Sequence, residues 1–253
     1  MESNKLIVTS GTGVTSCLSV RLDNVTKYLL ENEIESFLID SSSQFAQYRD
    51  FDGQDVSQSI FKNTEVIKPD YPIVEFGHGW QYGFADELHL ETLHKMANDY
   101  CKLSTSILDK ASEYSKLLEG RTAVLYRGND KALEVQRTPY ASMQHMVELS
   151  GSTRFLVQTD EEDFYYWFKE RFPDTICFLD IPRINKNPDG YVNPPKGNRV
   201  QFAMNFLSAL VAISKAPKLI LNTGNTGLWT LIFRGYKEGV YQYNGMTGTV
   251  KTF

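Results

Sequence analysis

The chain has 253 residues, enough for one large α/β domain or two small ones, with a core that needs no disulfide or metal staples. Its 42% hydrophobic and 23% charged residues, with 17 glycines and nine prolines, exclude a collagen-like, low-complexity or wholly disordered chain. A net charge of −5, from 26 basic and 31 acidic residues, disfavours a general grip on nucleic acid and leaves room for a local phosphate pocket.

In chain order, Lys5 to Ser10 reads as a short strand, Gly11-Thr12-Gly13 as a turn, and Ser16 to Asn32 as a helix with Leu18, Leu22, Val25, Leu29 and Leu30 at helical spacing. Ser36 to Asp40 is the next strand, so the first forty residues spell β-α-β with a parallel pairing. Glu65 to Ile67 and Pro72 to Phe76 read as short strands, and Gly77 to Gly83 as a loop. Phe84 to Leu118 reads as a long helical stretch, broken near Lys102 to Thr105 where a Ser or Thr can cap a second helix.

A second α/β unit opens with the strand Arg121 to Tyr126, followed by a helix at Tyr140 to Leu149, a strand at Phe155 to Gln158, a helix at Glu161 to Arg171 and a strand at Ile176 to Leu179. A polar, proline-bearing stretch runs from Arg183 to Arg199. It is followed by a helix at Val200 to Ser214, a strand at Lys218 to Asn222, the turn Thr223 to Gly227 and a helix at Leu228 to Phe233. Strands alternating with helices twice over predict two Rossmann-like domains, residues 1–120 and 121–253, meeting near Gly120.

Three cysteines, Cys17, Cys101 and Cys177, are too widely spaced for a zinc knuckle and odd in number, which points to a reducing, cytoplasmic setting. No run of eighteen apolar residues and no basic leader before an apolar stretch is present, so neither a membrane span nor secretion is expected.

In a doubly wound sheet the ligand lies beyond the carboxyl ends of the strands. Those ends carry Ser10 to Gly13, Asp40 to Ser43, Arg127 to Lys131, Thr159-Asp160, Asp180 and Thr223 to Gly227. Ser16 stands where a dinucleotide fingerprint needs its third glycine, and no GxxxxGK[ST] phosphate loop occurs. His78, His89, His94 and His145 lack metal-ligand spacing, and no Gly-x-Ser-x-Gly elbow supports covalent hydrolysis.

Arg127 follows an apolar strand, where a guanidinium either reaches a diphosphate bidentately or pairs with Asp130 at the surface. Thr223 to Gly227 is either an anion cradle before a helix or an ordinary capped turn. Asp160 is either an N-cap or a carboxylate that reads a base or ribose. Phe164 to Phe168 could stack on a base, but at helical spacing most of it is expected to pack the core.

The run Val124-Leu125-Tyr126-Arg127-Gly128-Asn129-Asp130-Lys131 resembles the His-x-Arg-Arg-x-Asp-Lys strand end of the fucosyltransferases that include α1,6-, nodulation and protein O-fucosyltransferases. Phe155 to Asp160 is similar to the family's second donor-site strand ending in Thr-Asp, and Leu219 to Gly227 to its later strand and turn, with a fainter echo at Gly11 to Leu22. Gly128 departs from the family where a second arginine often occurs, and Tyr126 where a histidine or a neighbouring residue can stand.

The resemblance implies a glycosyltransferase B-type arrangement. It implies an inverting, metal-independent transfer from a nucleotide-diphosphate sugar such as GDP-fucose to a glycan or other hydroxyl acceptor, with no cofactor. Arg127 would meet the diphosphate, Asp160 the nucleoside, and Thr223, Asn225 and Thr226 the phosphates. With their neighbours Gly11, Gly13, Asp130, Thr159 and Gly224, these form the expected donor site. Asp40, Glu75 and His78 are the candidates for the base that deprotonates the acceptor. The Arg183 to Arg199 stretch is either a lid over donor or acceptor or a simple surface excursion. A non-catalytic nucleotide- or glycan-binding module is the competing reading.

Overall fold

The computed structural model describes residues 4–62, 65–128, 136–183 and 197–253, so residues 184–196 of the stretch read as a lid or surface excursion lie outside the described residues. Two sheets organise the chain. The first pairs β1 (Lys5–Ile7) in parallel with β2 (Ser36–Asp40), and β2 antiparallel with β3 (Glu65–Ile67). Helix α1 (Val14–Glu31) crosses between β1 and β2 and buries Cys17, Leu18, Leu22, Val25 and Leu29, the stripe that the spacing predicts. A single helical turn, α2 (Ser57–Ile60), lies before β3.

Two expected elements resolve differently. Pro72 to Phe76 forms no strand, because the Phe76 amide donates to Thr26 Oγ1 on α1 at 3.3 Å instead of to a neighbouring strand. The long stretch from Phe84 is helical only as α3 (Leu90–Tyr100) and α4 (Thr105–Leu117), after a 3₁₀ turn at Ala85–Glu87. Ser104 is the N-cap of α4, yet its hydroxyl donates to the Ser59 carbonyl at 2.7 Å and does no capping.

The second sheet has the order β5-β4-β6-β7-β8, built from β4 (Thr122–Tyr126), β5 (Phe155–Thr159), β6 (Leu219–Asn222), β7 (Val240–Asn244) and β8 (Thr249–Thr252). The first four are parallel and β8 returns antiparallel. The strand expected at Ile176 to Leu179 shrinks to one parallel bridge, Ile176 to Leu156, because Phe178 turns inward against the Tyr114 ring, 4.2 Å between centroids. That bridge still occupies the outer slot beside β5, so the spatial order is the 3-2-1-4-5-6 of a dinucleotide-type sheet. Its switch point lies between β4 and β6. The final hairpin, β7 and β8, follows the last element that the sequence reading assigned.

Helices α5 (Tyr140–Ser150) and α6 (Glu162–Arg171) cover one face of this sheet. Met143, Met146, Phe164 and Phe168 pack there on Val124, Tyr126, Phe155 and Val157. Helices α7 (Arg199–Ser214) and α8 (Asn225–Arg234) cover the other, with Leu210, Ile213 and Leu231 on Ala123, Leu125, Leu156 and Leu221. The same two helices turn Ala203, Leu207, Leu228 and Trp229 into the core of the first sheet. A helix that meets apolar surroundings on all sides is buried between layers. Thus α7 and α8 join the two halves, and both strand ends and helix starts face one cleft. No helix among the described residues is long and apolar enough to cross a membrane.

Candidate functional site

A cavity of about 220 Å³ opens at the switch point between β4 and β6. Its lining includes the start of α1, Gly13 to Ser16, and the start of α8, Gly224 to Gly227, which meet through Ser19 and Asn225. Both helices have glycine at the N-cap, so no N-cap side chain covers their first amides, and at α1 the Val14 N–H is taken up by the Tyr48 hydroxyl. Two helix N-termini aimed at one space create positive potential and a supply of N–H donors.

At α8 the local conformation demands glycine twice. Gly224 has φ +138°, and its N–H donates to the Gln81 carbonyl at 2.7 Å. A Cβ on Gly227 would lie 2.6 Å from the Asn222 carbonyl oxygen, so the first turn of α8 can sit on the end of β6 only without a side chain there. This is why the predicted turn through Gly227 is already helical from Asn225.

Arg127 leaves the end of β4 and enters the cavity. Its backbone is held from β6: Asn222 Oδ1 accepts from the Arg127 N–H at 3.2 Å, and Asn222 Nδ2 donates to the Arg127 carbonyl at 3.1 Å. The guanidinium donates from Nη1 to Thr226 Oγ1 at 3.4 Å and pairs through Nε with Asp160 Oδ2 at 3.2 Å. Asp160 Oδ1 also accepts from the Gly128 N–H at 3.0 Å. Asp160 therefore aims the arginine, and Glu161 takes the N-cap position of α6. Asp130, the other partner expected for Arg127, lies outside the described residues.

Position 128 has no room for a second arginine. A Cβ there would lie 2.5 Å from Tyr126 Cε1 and collide with Glu161 Oε2. Glu161 is fully buried, and its Oε1 accepts from Arg137 and from the Tyr140 hydroxyl.

The remaining expected residues fall into three groups. Gly13, Thr159, Thr223 and Asn225 line the cavity, but much of their polarity is used internally. Thr159 Oγ1 accepts from Glu161 N at 3.0 Å, Thr223 Oγ1 accepts from Gly245 N at 3.2 Å, and Asn225 Oδ1 accepts from the Ser19 hydroxyl at 3.1 Å. Gly11 is a packing glycine outside the lining, because a Cβ would lie 2.6 Å from the Ser16 carbonyl carbon.

Asp40 is also outside the lining. It pairs with Lys5 at 2.8 Å and accepts from the Ser42 hydroxyl at 2.6 Å and the Ser42 N–H at 3.0 Å. The Lys5 ammonium, followed by Ser42, holds its carboxyl well below the usual range, the reverse of what a general base requires. Glu75 is exposed and does not line the cavity. His78 opens the 3₁₀ turn His78–Tyr82, and its side chain is not among those described.

Several lining residues escaped the sequence reading. Tyr48, from the 3₁₀ turn Ala46–Tyr48 after β2, takes the Val14 N–H on its hydroxyl at 3.2 Å, and burial pushes that phenol up to about 12. Phe202 and Phe206 carry a legible signal, two aromatics one turn apart at the start of a predicted helix. Gln158 lay inside a predicted strand, and only the known face of that strand reveals that it meets the cavity.

No protein-family model matches the chain, and no curated protein sequence matches it. Solved structures do. The crystal structure of NodZ α-1,6-fucosyltransferase co-crystallised with GDP superposes with a TM-score of 0.60 at 11% identity, covering 99% of this chain and 98% of that one. The same enzyme soaked with GDP-fucose gives 0.59 at 11% identity, and fucosyltransferase NodZ from Bradyrhizobium 0.58 at 10%, each with the same coverage. The chain shares their two-part α/β fold.

Proposed function

We propose that the chain is a glycosyltransferase that binds a nucleotide-diphosphate sugar at the β4–β6 switch point and transfers the sugar to a hydroxyl acceptor. The observation that carries this reading is Arg127, braced by Asp160 and touching Thr226 at the N-terminus of α8, in a cavity that the N-terminus of α1 also lines. A departing diphosphate develops negative charge. A guanidinium with two sets of helix amides stabilises that charge without a divalent cation, which supports a metal-independent transfer.

The likeness to fucosyltransferase structures holding GDP and GDP-fucose makes GDP-fucose the first donor to test, with inversion at the anomeric carbon as the stereochemical outcome. A glycan is the acceptor class we propose, and the cytoplasm the compartment. We also propose residues 1–120 as the acceptor-side domain and 121–253 as the donor-side domain. Asp130 and His78 stay in the proposed site from the sequence alone.

One observation favours a second reading, a nucleotide-binding module without turnover. Asp160 is the only carboxylate among the described lining residues, and it is engaged by Arg127 and Gly128. The deciding experiment measures release of free sugar and nucleoside diphosphate from GDP-fucose and other nucleotide sugars. Arg127→Ala should lower turnover by about 10²- to 10³-fold. Tight donor binding with no turnover in any acceptor screen leaves the binding module, and no binding of any nucleotide sugar removes both readings.

A further inference from the structure

The cavity also has an aromatic wall whose chemistry the diphosphate does not use. Phe202 and Phe206, one turn apart on α7, stack with ring centroids 6.1 Å apart and planes at 12°. Tyr48 extends the file, 6.2 Å and 12° from Phe202. Leu125, Ile181 and Pro182 complete an apolar wall.

Gln158 is set into this wall. It pairs in register with Leu125 across the parallel β4–β5 ladder, so the two side chains share the face that looks toward α7. Only 2% of Gln158 is exposed, and its Oε1 has no hydrogen-bond partner among the described residues. Buried polar atoms are nearly always paired, and an unpaired one on a residue that lines a cavity is an acceptor that a donor of the occupant can satisfy.

We infer that Gln158 reads the nucleobase of the donor. The planar ring packs against the Phe202–Phe206 wall, and a ring or exocyclic N–H donates to Gln158 Oε1. The inference rests on the proposed diphosphate reading of the Arg127 end, and the spacing joins the two. Arg127 follows Leu125 by two residues, just past the end of β4, an extended rise of roughly 6.6 Å, about one ribose between a base and its phosphates. The chemistry also fits, since aromatic side chains supply sequence-tolerant stacking while a single buried amide supplies selection.

The test is calorimetric titration of the full chain with GDP, ADP, UDP, CDP and inorganic pyrophosphate. The wild-type chain should bind at least one nucleoside diphosphate more tightly than pyrophosphate and should rank the four bases. Gln158→Leu should reduce the preferred nucleotide's affinity by about tenfold, flatten the ranking and leave pyrophosphate binding unchanged. Phe202→Ala should weaken all four nucleotides and spare pyrophosphate. If Gln158→Leu does not fold by thermal melting, Gln158→Met keeps the length without the acceptor and carries the same expectation.

Equal affinity of wild type for all four nucleotides and pyrophosphate overturns the inference, as does a Gln158 variant with unchanged ranking. Arg127→Ala separates the two levels. If it abolishes both nucleotide and pyrophosphate binding while the Gln158 variants remain silent, the diphosphate reading survives and only the base reading falls. If the wild-type chain binds neither nucleotide nor pyrophosphate, both fall.

Discussion

The two sheets meet the cavity in different ways. In the second sheet every residue of β4, β5 and β6 is buried, with helices on both faces. In the first sheet β1 and β3 have three residues each, and the outer face leaves Ile7 66% and Ile67 70% exposed. The chemistry follows the packing. The second sheet contributes side chains held at strand ends, Arg127 with its backbone pinned by Asn222 and Asp160 paired with it. The first contributes mainly backbone, the opening turn of α1 with Tyr48 across it. Polar side chains that must hold a fixed geometry are better supported by rigid, doubly covered strands, whereas helix amides need only the helix.

The sharpest way to probe this contrast is to add one methyl group to each helix start. At α8, Gly227→Ala forces a Cβ to within 2.6 Å of the Asn222 carbonyl, which must push the helix off the strand end. The expected cost is about 1–3 kcal/mol of stability, with loss of donor binding as the Arg127–Thr226 contact opens. At α1, Gly13 has φ −139°, and a Cβ would meet nothing within 4 Å. Gly13→Ala should therefore cost less, on the order of 0.5–1 kcal/mol, the difference between glycine and alanine at an N-cap, and should leave donor binding in place. Chemical denaturation of the two variants measures both. Equal losses would mean that the two helix starts are seated alike and the contrast is wrong.

The same difference in packing governs what the sequence disclosed. Apolar runs such as Ala123 to Tyr126 and Phe155 to Val157 are legible because a strand buried on both faces needs little else, and Arg127 and Asp160 stand just beyond the strands they seed. Arg127, Thr226 and Asp160 thus follow from strand ends alone, since the switch point brings them together whatever the loop sequences. The region between β2 and α3 is less legible. Its order comes from tertiary contacts such as Thr26 to Phe76 and Tyr48 to Val14, which leave no periodic trace. Gln158 was hidden for another reason. A glutamine within an apolar strand has no local signature of purpose, and only the register with Leu125 shows what it faces.

Tyr48 offers a smaller probe of the joint between the halves. Burial raises its phenol to about 12, whereas an unfolded tyrosine titrates near 10. The neutral form is therefore favoured in the fold. Its contribution is fully present below about pH 10 and is lost as the pH rises through about 12, at a slope on the order of 1 kcal/mol per pH unit. Tyr126 in the second sheet is raised to about 12 by burial as well. Tyr48→Phe and Tyr126→Phe should each flatten the fall of Tm between pH 10 and 11.5. If only Tyr126→Phe does so, the cleft around Tyr48 admits water and the first half is looser than its packing suggests.

The smallest expected effect tests whether Asp40 belongs to the architecture of the first sheet or to the chemistry. Lys5 and Ser42 hold its carboxyl below the usual carboxylate range. Because the folded value is depressed, the ion pair stabilises the fold above the unfolded value of about 3.9, and that contribution fades as the pH falls. The pair is partly exposed, so solvent screening limits it to at most about 1 kcal/mol. Asp40→Asn should flatten the acid side of the stability curve below pH 4 and leave donor turnover at neutral pH unchanged. A large drop in turnover with unchanged acid stability would reverse the assignment: the Lys5 pair would then open in the working enzyme, and the exposed edge of the first sheet would bear on the acceptor.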